Sequence, residues 1–80
     1  MARNPVPRVA QEMRIKELLA SRQPRENMSI MARNLEEPYG SVAGNVYGYR
    51  ANPRLQARIA AYLGEPVEAL FGGNGAVIPD

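Results

Sequence analysis

An 80-residue chain has room for one small domain. It contains neither cysteine nor histidine, which excludes disulfides, thiolate zinc sites and the commonest general base. Its net charge is only +2, yet residues 1–58 hold all ten cations against five carboxylates, while residues 59–80 hold Glu65, Glu68 and Asp80 with no cation. That asymmetry suits a polyanion-binding body with an acidic end; an arginine-rich solvated surface accounts for it equally well. No stretch approaches the roughly 20 apolar residues of a membrane span. The opening prolines and arginines are unlike a secretory leader, so a cytoplasmic protein is expected.

Residues 1–7 (MARNPVP) read as a flexible arm, because two prolines disfavour helix there. From residue 8 to 22, Ile15, Leu18 and Leu19 follow helical spacing, and Val9 and Met13 extend the same side. Pro24 breaks this first helix, and Asn27 is an N-cap for a second. Met28, Met31, Ala32 and Leu35 give the second helix an i, i+3, i+4, i+7 stripe. After EEP comes residues 39–47, helical in length but holding Gly40 and Gly44, with Gly48 as its C-cap. Asn52-Pro53 then starts a fourth helix with Leu55, Ile59 and Leu63 inward, and Gly64 stops it. EPVEALF docks a short fifth helix through Val67, Leu70 and Phe71, and residues 72–80 form a flexible tail. The expected fold is therefore all-α, a compact bundle of about five short helices within residues 8–71.

Two short helices joined by a tight turn and flanked by basic residues suggest a helix-turn-helix. Ala32 supplies the small residue where the second helix crosses the first. Val42 supplies the inward apolar residue ten positions later, and Val46 continues that face.

The segments RIKELLASR, IMARNL and GSVAGNVYGYRANPRLQARIAAYLGEPVEALF resemble the lambda-repressor-like helix-turn-helix regulators of phages and bacteria. The compact Ner-type phage regulators are most similar in size. GYRANPRLQARIAAYLGEPVEALF is the specific part, similar to the half that follows the recognition helix: a loop, a helix ending Leu-Gly, and a short helix ending Leu-Phe. The resemblance spans roughly residues 14–72. The recognition half departs from the family's pattern, with Glu36 where the turn usually has glycine and Asn45 where an apolar residue is usual. As acids beside a helix N-terminus, Glu36 and Glu37 favour the helix dipole. Asn45 requires half-exposure or a backbone hydrogen bond, because an unpaired buried amide costs about 1–3 kcal/mol.

The resemblance implies a sequence-specific regulator of transcription, such as a repressor, that occupies double-stranded DNA as a homodimer and needs no cofactor or small-molecule substrate. It also implies that the loop with Arg50 and Asn52 runs along the DNA backbone. Ser29 and Arg33 on the second helix are candidates to clamp the other side of the groove. The acidic fifth helix and tail are candidates for pairing two copies. An arm carrying Arg3 and Arg8 in a minor groove is a further option.

With Val42, Val46 and Tyr49 turned to the core, the opposite face of the third helix carries Tyr39, Gly40, Ala43, Gly44 and Tyr47, with Ser41 and Asn45 on its edges. Two interior glycines cost about 2 kcal/mol in helix propensity relative to alanine. Close approach to a major groove, with Ala43 on a thymine methyl and the tyrosines on phosphates, is one compensation. A protein partner seated on the small face is another, and would make the chain an interaction module, antitoxin-like or anti-repressor-like. A loop that shortens the helix is a third reading. An enzyme is not expected: Ser21, Ser29 and Ser41 have no histidine to activate them, and Glu36 and Glu37, as sequence neighbours, cannot converge.

Overall fold

In the computed structural model, which describes residues 8–71, five α-helices follow in order. They are α1 (Arg8–Ala20), α2 (Met28–Leu35), α3 (Tyr39–Tyr47), α4 (Pro53–Leu63) and α5 (Val67–Phe71). The expected arm and tail, residues 1–7 and 72–80, lie outside the described residues, as do the side chains of Arg8 and Val9. The all-α expectation holds, with no strand among the described residues. No helix among them is long and apolar enough to cross a membrane.

Polar caps and glycines set the helix ends. The Asn27 side chain accepts from the Ile30 N–H at 2.9 Å, and that of Asn52 accepts from the Leu55 N–H at 3.2 Å, each relieving an orphan donor. Helix α4 ends on Gly64 at φ 74°. There Glu65 N–H donates to Ala60 O at 3.0 Å and Gly64 N–H to Ala61 O at 3.2 Å, the paired bonds of a Schellman motif. Helix α2 ends on the same pair: Glu37 N–H to Ala32 O and Glu36 N–H to Arg33 O, both at 3.0 Å. Its left-handed residue is Glu36 at φ 58°. The turn keeps the glycine geometry without the glycine.

The core gathers Ile15 and Leu19 of α1, Met31 of α2, Val42 and Val46 of α3, Leu55 and Ile59 of α4, and Leu70 and Phe71 of α5, all buried. Ala32 is buried, and α2 packs against α3. Met13, expected on the inward side of α1, is 64% exposed. The inward stripe is Gln11, Ile15 and Leu19, four apart, and Met13 lies two positions from both Gln11 and Ile15, about 200° around the helix.

Tyr62 is a core edge whose polar end is tied within the chain. Its hydroxyl donates to the Glu26 carboxylate and accepts from Asn34 Nδ2 at 2.8 Å. The Arg22 guanidinium stands 4.5 Å from its ring centroid and donates to its carbonyl at 3.1 Å. These bonds join the α1–α2 loop to the end of α4.

Candidate nucleic-acid interface

Helix α3 is continuous through both glycines, so residues 39–47 are not the loop that Gly40 and Gly44 allowed. Its middle is enclosed. All of residues 42–46 are buried, with α1, α2 and α4 packed around them. The expected open face of small residues is corrected accordingly: Ala43 is 8% exposed and Asn45 1%, and Gly44 is buried too.

Arg50 covers Gly44. A β-carbon added at Gly44 would stand 2.9 Å from Arg50 Cδ, 3.0 Å from Cγ and 3.2 Å from Nε. The Gly44 carbonyl also receives the N–H groups of Tyr49 at 2.8 Å and Arg50 at 3.1 Å. The chain reverses at Gly48, φ 87°, and lies back over α3. This fold-back removes Tyr49 from helical periodicity, so it is 76% exposed instead of facing the core. Gly40 is different: an added β-carbon there would meet nothing within 4 Å.

Asn45 is buried because its backbone bonds are made. Its Nδ2 donates to Ser41 O at 2.8 Å, and its Oδ1 accepts from the Asn52 N–H at 2.9 Å. It therefore holds the start of α4 against α3. Asn52, with its side chain on Leu55 N–H, has a structural role in the same joint. Sequence reasoning missed Gln11, whose amide donates to Asn45 O at 3.0 Å and Val46 O at 2.9 Å. These are two of the last carbonyls of α3, which have no partner within the helix. The available signal was a glutamine four residues ahead of Ile15 on an otherwise apolar stripe.

The outer face of Tyr47 is also occupied. The ring is half-buried against the core, lies 6.2 Å from that of Tyr49, and carries the Lys16 ammonium 5.4 Å from its centroid. Lys16 also donates to Glu12 at 2.8 Å; this bond is the main cause of its raised pKa.

What remains accessible is the entry of α3 beside α2. Tyr39 is 50% exposed, Gly40 is exposed and Ser41 half-buried. On α2, Ser29 and Arg33 are exposed on one side, four residues apart. Ser29 and Tyr39 line a common cleft of about 330 Å³ with Lys16, Leu19, Asn27, Met28 and the Arg22-paired Glu26. Arg50 and Asn52 are exposed in the loop after α3.

Ion pairing divides the described cations into two sets. Arg14 pairs with Glu17 and Glu65, Lys16 with Glu12, Arg22 with Glu26, and both Arg54 and Arg58 with Glu37. Arg58 also donates to Leu35 O at 2.9 Å, closing the end of α2. Glu37 is thus turned toward α4, and the hydrogen bond from Arg54, aided by Arg58, holds its carboxyl below the usual range. Arg25, Arg33 and Arg50 enter no ion pair among the described residues. Two of these three are the arginines expected at the interface; Arg25, in the loop before α2, was not singled out in the sequence.

Comparison with protein-family models, with curated proteins and with solved structures finds no match to this chain.

Proposed function

We propose that this chain is a regulator that binds double-stranded DNA, phage-like in type, with α2 and α3 as its helix-turn-helix. The observation that carries the reading is the charge division. Five of the seven glutamates are taken up by Arg14, Lys16, Arg22, Arg54 and Arg58, which leaves Arg25, Arg33 and Arg50 available to DNA. The accessible part of α3 is its first turn, and in this motif the early residues of the second helix meet base edges. Tyr39, Gly40 and Ser41 take that position here, with Ser29 and Arg33 of α2 beside them.

A domain of this size makes few phosphate contacts, so useful affinity calls for two copies on a repeated site. Glu68, exposed on α5 and outside the ion pairs of the described residues, supports pairing through the acidic end. The reading includes no catalytic step and no cofactor. The alternative, an interaction module that seats a partner helix on the small residues of α3, loses support from the burial of Ala43 and Gly44.

Footprinting of the purified protein on the DNA flanking its own gene, under excess nonspecific competitor, tests the proposal. Two related protected half-sites about one helical turn apart are the expected result. Protection abolished by competitor contradicts it.

A further inference from the structure

Helix α3 has no arginine, lysine or glutamine, and its one asparagine, Asn45, is buried with both ends of its amide engaged. A reader of guanine needs two parallel donors aimed at O6 and N7, which arginine supplies better than any other side chain. The only arginine laid against α3 from the following loop is Arg50, and it is placed with unusual closeness. Its Cγ, Cδ and Nε lie 3.0, 2.9 and 3.2 Å from where a β-carbon of Gly44 would be. The backbone is pinned at the same point by the Arg50 N–H on Gly44 O at 3.1 Å. The residue is exposed and its guanidinium is in no ion pair among the described residues.

We propose that Arg50, seated on Gly44, is the base-reading side chain that α3 lacks, and that Gly44 is glycine in order to form that seat. The inference rests on the DNA reading above and deepens it by naming a specificity-determining residue and its target, the major-groove edge of a G·C pair. The side chain crosses the helix where a longer residue at 44 would stand, so the loop delivers a guanidinium along α3 instead of from it. Residue 44 does not touch DNA in this arrangement; it positions Arg50.

The test uses the full chain and duplexes selected from a randomised pool, with base preference and salt dependence measured for wild type, Arg50→Lys, Arg50→Ala and Gly44→Ala. Arg50→Lys keeps the charge but loses the two-pronged donor. It is expected to lose roughly 5- to 150-fold in preference for one G·C pair, with the salt slope of wild type. Gly44→Ala, with a melting temperature at or above that of wild type, is expected to lose the same preference. Arg50→Ala loses the preference and, because it also removes a cation that displaces counterions from the groove, lowers the salt slope. If wild type selects a consensus and Arg50→Lys or Gly44→Ala retains full preference at every position, Arg50 is a phosphate contact or Gly44 is no seat, and this proposal alone falls. If wild type selects no consensus, the DNA reading falls and takes this proposal with it.

Discussion

The side-chain amide of Gln11 on α1 donates to the carbonyl of Asn45 on α3 at 3.0 Å, and to that of Val46 at 2.9 Å. Gln11 and Asn45 are both buried, so no solvent stands in for this bond. Together with the Gly44 carbonyl, which the following loop satisfies, the pair closes the glycine-rich end of α3. The helix that propensity favours least is held by hydrogen bonds from the segments around it.

Replacing Gln11 with leucine keeps the bulk and strands two buried acceptors. A loss of about 1–3 kcal/mol is expected, read as a lower denaturation midpoint in urea with an unchanged m-value. A midpoint equal to that of wild type would show that α3 closes without α1.

Glu36 at φ 58° occupies a conformation that costs a residue with a β-carbon about 1–2 kcal/mol. Glycine removes that cost but adds entropy to the unfolded chain. Glu36→Gly is expected to stabilise by about 1 kcal/mol, a rise of some 4–8 °C in Tm for a domain of this size. Gly64→Ala, at the matching position of α4, is expected to move Tm the other way. A fall in Tm for Glu36→Gly contradicts the strain argument.

The carbonyl Oε1 of Gln56 is buried with no hydrogen-bond partner among the described residues, and the residue is 1% exposed. Methionine fills a similar volume without an acceptor to desolvate. Gln56→Met is therefore expected to raise stability by about 1 kcal/mol in equilibrium denaturation. A loss of that size would mean that the amide is satisfied in solution.

The carboxyl of Glu37 is held below its ordinary value of 4.5 by the hydrogen bond from Arg54, with Arg58 adding to it. A depressed carboxylate contributes stability that is complete above the unfolded pKa and is lost as pH falls through the folded one. Tm is expected to drop as pH falls below about 4.5. Glu37→Gln should lower Tm at neutral pH and flatten that part of the profile. Parallel wild-type and variant profiles would remove the ion pairs between the α2–α3 turn and α4 from the account.

The helices were legible because their ends are marked by residues that do local work: Asn27, Asn52 with Pro53, Gly48 and Gly64. The enclosure of α3 was not. Opposite Val42 and Val46 stand alanine and glycine, whose small size suits an open groove-facing surface or a tightly covered one. The packing of α1, α2 and α4 and the reversal at Gly48, which lays Arg50 across Gly44, decide between them. Helical periodicity carried past that reversal turns Tyr49 to the core, and the reversal exposes it. Arg50 was singled out by its place in the chain, while its contact with residue 44 depends on a fold-back that no local pattern encodes. Glu37 likewise reads as a turn acid, and its partners on α4 are 17 and 21 residues away.

The central claim is that the cations outside ion pairs carry DNA binding, and the salt dependence of affinity tests it most directly. Binding constants for one duplex should be measured across salt concentrations for wild type, Arg33→Ala, Arg50→Ala and Arg54→Ala. Removing a cation that displaces counterions from the duplex, whether set on a phosphate or in the groove, lowers the slope of log affinity against log salt, by about 1 for a phosphate contact. The account predicts that lower slope for Arg33→Ala and Arg50→Ala, and the wild-type slope for Arg54→Ala, whose charge is committed to Glu37. Equal slopes for all four proteins, or a lower slope for Arg54→Ala alone, would contradict it.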